Sequence, residues 1–356
     1  SSSYTQIDSM LIRQYSSYFR ADALGLKAGT YTLKIVAESS KDEIETSSLT
    51  VTSYDRSGFT WAPGSPTAGK GVGAYNLDGT LKSGAKVLYV TEATKTKVTM
   101  EINGKTLTGI SEITQQIKDK NKAGPVAIRI IGQVSLRDLS CHDMKSAYAI
   151  GVKEASQITF EGVGNDATLM AGVASFKSSS IEIRNLGLML WGGGKDGDGI
   201  ALKNTVGAWI HNNDFFYGEA GPASDQVKGD GSMDVKDDSQ YVTISYNHFW
   251  DSGKMSLCGM KSESGENWIS YHHNWFDHSD SRHPRIRTMS VHIYNNYYDG
   301  NSKYGVGVTS KGEAFVENNY FRNCKYPMMI SKQGTDAKGD GTFSGESGGV
   351  IKAFGN

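Results

Sequence analysis

Between Lys228 and Arg287 the chain gathers carboxylates and fixed cations onto short segments in which apolar and charged residues alternate: KGDGSMDVK, DSGKMSLCG and DSRHPRIR. In Met233-Asp234-Val235-Lys236 the period of two is that of a half-buried strand. Asp234 and Lys236 are therefore expected to project from one face while Met233 and Val235 point into a core. Lys254-Met255-Ser256-Leu257 and Arg285-Ile286-Arg287 repeat the pattern, so Lys254, Arg285 and Arg287 are placed outward by the same parity. Asp230 and Asp234 would stand about 13 Å apart in a straight strand, too far to share one ion, but a bend at Gly231 lets them converge. Asp196 and Asp198, at the head of the strand Ile200-Ala201-Leu202, are positioned to join them from a neighbouring strand. Carboxylates without an associated His or Cys pattern favour a hard, oxygen-seeking ion, Ca²⁺ ahead of Mg²⁺ or Zn²⁺. Any one of these aspartates, three of which (Asp196, Asp198 and Asp230) stand before glycine, also reads as an ordinary turn residue; the set opposite a row of cations is less ordinary. Arg282, Arg285 and Arg287 lie within six residues and repel one another unless they hold something anionic, and guanidinium is well matched to carboxylates. The alternative for this segment is a solvated basic edge strand with proline at its start. The chemistry in prospect is recognition of an acidic polymer, with a cation bridging carboxylates.

Such a cluster needs strands stacked in register, and the sequence carries a repeat that supplies them. An asparagine followed two residues later by an aromatic or small residue recurs at Asn185, Asn213, Asn247, Asn274, Asn296 and Asn319, at intervals of 28, 34, 27, 22 and 23 residues. Periods in this range mean stacked units, and with no long helical segment between the asparagines each unit must be several short strands and turns. The architecture expected is all-β, a right-handed parallel β-helix whose coils stack about 4.8 Å apart. An asparagine at the same turn of each coil can bond its neighbours in a buried ladder, with the aromatics stacked beside it inside the coil. A β-sandwich would need hairpin signals between strands, and these are scarce. In a β-helix, residues one coil apart in sequence are neighbours in space, so Asp234, Lys254 and the Arg282 to Arg287 segment fall on one face.

Residues 1–55 differ in character: two strand patterns, one following a turn at Gly29 and one over residues 47–52, read as a β-rich accessory segment, such as part of a β-sandwich. Residues 56–73 hold Gly, Pro and Ser without periodicity and are expected to be a linker, leaving 74–356 as the β-helix. Gly109 to Lys122 is the one amphipathic helix, with Ile110, Ile113 and Ile117 on one face and Ser111 as its cap. Glycine is abundant, 42 of 356 residues against 6 prolines, which suits many tight turns. The formal net charge of −1 gives no global pull toward nucleic acid or anionic membranes. Cys141, Cys258 and Cys324 are odd in number and widely spaced, without metal-ligand spacing, and Cys258 lies in an apolar pattern as a small buried hydrophobe. No apolar run reaches the length of a membrane span. The opening Ser-Ser-Ser reads as a mature or trimmed chain without a signal peptide.

The cluster resembles the polysaccharide lyase family 1 pectate lyases, in which an acidic pair four apart, a D-x-K strand, an isolated lysine and an R-x-P-x-x-R motif line the cleft of a parallel β-helix. The matching residues are Asp230 and Asp234, Asp234-Val235-Lys236, Lys254, and Arg282-His283-Pro284-Arg285-Ile286-Arg287. The likeness runs in order from about Asp78 to Asn319. It implies that Asp198, Asp230 and Asp234 bind Ca²⁺, with Asp196 a fourth ligand. It also implies that Arg282 takes a proton, and that Lys236, Lys254 and Arg287, with Arg285 beside them, bind galacturonate carboxylates. One departure is visible: the family's W-I-D-H motif reads Trp209-Ile210-His211-Asn212 here.

The activity implied is β-elimination on polygalacturonate by a secreted, cell-surface or periplasmic monomer. Removing the C5 proton builds negative charge beside an existing carboxylate, and Ca²⁺ with the Lys/Arg row would stabilise it. Free arginine is normally protonated, so a base at Arg282 requires neighbouring cations to favour its neutral form and an alkaline medium. The rivals are a polygalacturonase-type hydrolase, which would use carboxylic acids as acid and base, a pectin lyase acting on esterified chains, which has little use for Ca²⁺, and a non-catalytic module that holds acidic polysaccharide.

Overall fold

Among the described residues thirty-two strands, most of three to six residues, follow one another, and nearly all after Lys86 pair in parallel with the strand one coil earlier and one coil later. The computed structural model describes residues 4–139, 149–192, 197–219, 228–264, 266–330 and 348–356. Parallel neighbours cannot be joined by tight hairpins, so the chain winds, and the product is the right-handed parallel β-helix expected. One face is an eight-stranded sheet running through Ile200–Lys203, Met233–Lys236, Leu257–Cys258, Arg285–Arg287 and Val306–Thr309. Two further faces are joined through the long strand Ser156–Met170. No helix among the described residues is long and apolar enough to cross a membrane.

Alternation sorts the side chains. Ile200, Leu202, Met233, Val235, Cys258, Ile286, Val306 and Val308 line the inside of the first face and are fully buried in one continuous core. Across the lumen Phe215, Phe249, Phe276, Tyr298 and Phe321 form a single column, with successive centroids 4.5, 5.5, 4.6 and 4.3 Å apart. Each buried ring contributes about 2–3 kcal/mol of transfer free energy, and the column repeats that gain at every coil.

The asparagine ladder is present. Asn213, Asn247, Asn274, Asn296 and Asn319 each donate Nδ2 to the next rung's Oδ1, at 2.9–3.0 Å, and the last donates to Asn356. Asn185 is a correction: it sits at the left-handed turn position one residue before the ladder, and Leu186 holds the first rung, its N–H donating to Asn213 Oδ1 at 3.1 Å. The later rungs are each preceded by a left-handed residue, Asn212, Tyr246, His273, Asn295 and Asn318. Asparagine tolerates that conformation, so the first coil satisfied the sequence pattern one residue out of phase.

The helix is shorter than its pattern, Ile110–Gln116, and Ser111 lies inside it; Gly109 precedes it without a side-chain cap. Glu112 instead reaches back to accept from Thr108 N at 2.8 Å. Ile110, Ile113 and Ile117 are buried as their spacing requires. In the first 55 residues the strand expected after Gly29 is two, Gly29–Tyr31 and Lys34–Val36, paired antiparallel with Leu49–Val51 and Glu43–Glu45. This segment exposes Phe19, Ile35 and Ile44 and is tied to the β-helix by Arg13–Asp166 at 2.8 Å and by Arg20 to Asn165 at 2.6 Å. Residues 56–73 form no free linker: Phe59 N and Thr60 N donate to Ser270 Oγ and Thr243 Oγ1 at 3.1 and 3.0 Å, and Gly73 N to Ser180 Oγ at 3.1 Å. The hydroxyl-lined outside of a sheet satisfies a strap that has no strand pattern of its own. Cys258 is fully buried, Cys324 half-buried, and Cys141 lies outside the described residues.

Candidate active site

The parity of Met233–Lys236 is as expected, with Met233 and Val235 in the core and Asp234 and Lys236 on the other side of the sheet. Outward does not mean wet here, because Asp198, Asp234, Lys236, Lys254 and Arg285 are all less than a tenth exposed. Buried charges are tolerated only when paired, and these are. Lys236 Nζ lies 2.7 Å from Asp198 Oδ2 and 2.8 Å from Asp234 Oδ2, bridging neighbouring coils. The remaining oxygens are also held: Gly231 N donates to Asp198 Oδ1 at 3.1 Å and Leu257 N to Asp234 Oδ1 at 2.8 Å.

Gly231 is required at the bend. A Cβ there would stand 2.2 Å from Asp234 Oδ1, so the Asp234 carboxylate is packed against bare backbone. Asp230, one residue earlier, turns to Lys254, with Nζ to Oδ1 at 2.9 Å. Parallel bridges Gly231 to Lys254 and Lys254 to Ser281 stack these positions on successive coils. The three carboxylates Asp198, Asp230 and Asp234 thus occupy one patch. They do not converge on a single point, since one pair is held by Lys236 and the third by Lys254. Asp196 lies outside the described residues.

Burial, and next to it the charge of Asp234, push Asp198 up to about 7 against the pull of Lys236. Burial alone would lower Lys236, but Asp234 and Asp198 outweigh it and raise it. Buried anionic charge of this kind is what a hard cation relieves, and its donors are all carboxylate oxygens. The residues present therefore fit Ca²⁺, which would compete with two ammonium groups for the same oxygens.

The expected strand over residues 254–257 is a correction. Only Leu257–Cys258 is strand, Ser256 turns inward to Tyr271 Oη at 2.8 Å, and Leu257 faces out beside Asp234 and Arg285. A serine that finds a buried hydroxyl partner breaks the apolar-in rule without cost. On the next coil Ile286 enters the core while Arg285 and Arg287 take the outer side, Arg285 largely covered and Arg287 half-buried.

Arg282 adopts a left-handed conformation, φ 68°, uncommon for a residue with a side chain. Its backbone is pinned all round: Ser256 N donates to the Arg282 carbonyl at 2.8 Å, His283 N donates to Gly305 O at 2.9 Å, and Tyr298 Oη donates to the His283 carbonyl at 2.9 Å. His283 is fully buried with Nδ1 2.8 Å from Tyr304 O. Burial holds this ring down to about 4, so it stays neutral. Among the described residues the Arg282 guanidinium makes no ion pair or side-chain hydrogen bond, in contrast to Lys236 and Lys254. The guanidinium is thus half-buried on a fixed backbone beside the paired row.

The departure at Trp209-Ile210-His211-Asn212 is structural. His211 is fully buried on a different face, stacked on Trp209 at 3.5 Å, with its Nε2 3.1 Å from Glu182 and Nδ1 2.8 Å from Asn212. The residues that sequence reasoning passed over are Asp55, His272 and His273. They form the one group of three His, Cys, Asp or Glu among the described residues whose ligand atoms all lie within 4.8 Å of one another. The histidine pair was visible in the sequence, but Asp55 lies more than two hundred residues away and nothing local links it to them.

The pectate lyase family profile matches residues 45–353. Pectate lyase 3 of Pectobacterium carotovorum is 36% identical over 197 residues, covering 54% of this chain and 52% of its own length. The chain thus spans about half the length of this relative. Among solved structures, the pectate lyase Bsp165PelA of Bacillus sp. N165 in complex with trigalacturonate has a TM-score of 0.59 at 21% identity, covering 84% of this chain and 86% of its own. A mutant of pectate lyase C in complex with pentagalacturonic acid has a TM-score of 0.52 at 26% identity, covering 76% of this chain and 75% of its own.

Proposed function

The chain belongs to the pectate lyase family, and from that premise we propose that it cleaves de-esterified polygalacturonate by calcium-dependent β-elimination, releasing 4,5-unsaturated oligogalacturonides. The observation that carries this reading is a buried Asp–Lys patch with, one coil further on, a rigidly mounted Arg282 whose guanidinium has no partner among the described residues. Asp198, Asp230 and Asp234, with Asp196 as a fourth ligand, are the residues that would hold Ca²⁺. Bound there, the ion supplies positive charge that neutralises the substrate carboxylate next to C5 and makes the C5 proton more acidic.

Lys236, Lys254 and Arg287 pair with galacturonate carboxylates along the groove, and guanidinium gives Arg287 two-point contact. Arg285, although largely covered, completes this substrate-binding row. The lysines exchange an aspartate for a substrate carboxylate, so the charge that leaves one partner is met by another. Arg282, in its neutral form, removes the C5 proton; the electron pair forms the C4–C5 double bond, and the 4-linked glycosidic oxygen leaves with its bonding pair and takes a proton from solvent to become the hydroxyl of the new reducing end. No water is consumed. A base of this kind favours alkaline conditions. Residues 74–356 would carry the reaction, with 1–55 an accessory segment, and a polymer substrate too large to be taken up places the enzyme outside the cytoplasm, secreted or at the cell surface.

Mass analysis of the products tests this reading. Oligogalacturonides lighter by one water than hydrolytic fragments are expected. Products of hydrolytic mass would assign a polygalacturonase-type hydrolase, and cleavage confined to methyl-esterified chains a pectin lyase.

A further inference from the structure

On the sheet face away from the Asp–Lys patch, the strand Ile269–His272 ends on a histidine and a second, His273, follows it directly. Consecutive strand residues point to opposite sides, but His273 takes the left-handed turn conformation, φ 54°, and swings back toward its neighbour. The two rings meet edge to face at 5.2 Å with their Nδ1 atoms 2.9 Å apart. Asp55 comes over them from the strap that leads out of the N-terminal segment, and one ligand atom from each of the three residues lies within 4.8 Å of the others.

The set is supported as ligands are. Asp55 accepts from Tyr246 Oη at 2.9 Å, from Ser57 N at 2.9 Å and from Ser57 Oγ at 3.1 Å, which fixes the carboxylate toward the imidazoles. Tyr246 stacks on His273 at 4.7 Å and Tyr294 on His272 at 4.9 Å, so both rings are clamped in orientation. His272 is fully buried, yet the contacts of its Nε2 to Ser57 are long, at 3.4 Å. Outer groups that orient ligands and rings are a recurrent accompaniment of metal sites. Two imidazole nitrogens and one carboxylate oxygen select a borderline transition ion over Ca²⁺ or Mg²⁺, and three protein donors leave a fourth tetrahedral position to water.

We propose that Asp55, His272 and His273 form a site for Zn²⁺ that clips the strap, and with it the N-terminal segment, to the β-helix. The site is separate from the carboxylate patch and needs no part of the reaction there. Because the ion binds only the docked arrangement, it stabilises the folded chain in proportion to its occupancy.

The test is titration calorimetry of the full chain, stripped with chelator and held in excess Ca²⁺, with Zn²⁺ alone as the probe, together with thermal unfolding at each Zn²⁺ concentration. One Zn²⁺ per chain and a rising Tm are expected. His273→Ala and Asp55→Asn, both at exposed positions, should each weaken binding at least tenfold and abolish the Zn²⁺-dependent rise in Tm, measured from each variant's own metal-free value. His278→Ala, which alters a histidine–aspartate contact elsewhere on the surface, should bind as the parent does. Absence of binding, or binding kept in His273→Ala and lost in His278→Ala, would overturn the proposal.

Discussion

At the scale of single residues, the site separates groups that are spoken for from the one that is not. Lys236 and Lys254 are held by Asp198, Asp234 and Asp230, whereas Arg282 has its backbone fixed and its guanidinium without a partner among the described residues. Arg282→Ala should therefore lower kcat by about 10²–10⁴-fold while KM and thermal unfolding stay near the parent's. A loss of stability matching the loss of rate would make Arg282 a structural residue. Its neighbour His283 makes a separate prediction. The folded ring titrates at about 4, below the ordinary value of 6.5, because it is buried. The native state thus resists a proton that the unfolded chain accepts. Stability from this group is complete above pH 6.5 and is lost as pH falls toward about 4, by about 3 kcal/mol. Urea unfolding across that range should show the decline, and His283→Gln should flatten it. Residue types and order in the charged cluster were legible because each strand advertises its parity. The pairing of lysines with aspartates was not, since an alternating pattern says which side a charge takes and nothing about whether water reaches it.

At the scale of elements, the coils from Asn213 onward are held by two columns, the asparagine ladder and the aromatic stack beside it. Asn274 donates to Ile244 O at 2.9 Å and to Asn296 Oδ1 at 3.0 Å, and accepts from Asn247 N and Nδ2 at 3.1 and 3.0 Å. Asn274→Ala leaves several buried groups unpaired and should cost about 2–4 kcal/mol. Asn185→Ala, at an exposed turn with bonds only to Gly162 O and Gly164 O, should cost less than half as much. Equal losses in denaturant unfolding would mean that the ladder is not what the buried turn depends on. The period of the repeat was readable because five of its six asparagines are true rungs. Its phase in the first coil was not, because asparagine suits both the ladder and the left-handed turn before it. The break at Ser256 escaped for a similar reason: its inward partner, the Tyr271 hydroxyl, is fifteen residues away.

For the whole molecule, the solenoid converts distance along the chain into neighbourhood, placing Asp198, Asp230, Lys254 and Ser281 on successive coils of one face. That organisation was evident from the repeat and from the absence of helical segments. The course of residues 56–73 was not, because a strap held by hydroxyls on the outside of a sheet carries no periodicity to read. An open, elongated face bearing carboxylates and fixed cations suits a long acidic chain better than a small ligand. In the reaction proposed, such a chain is cut by elimination at a calcium-dependent site. That reaction is tested most directly by following the ultraviolet absorbance of the new double bond as the protein acts on polygalacturonate at alkaline pH, first with Ca²⁺, then with chelator, then with Ca²⁺ restored. Calcium-dependent elimination gives a rise that stops on chelation and resumes with the ion. Release of reducing ends without absorbance, or a rise indifferent to chelator, would contradict it.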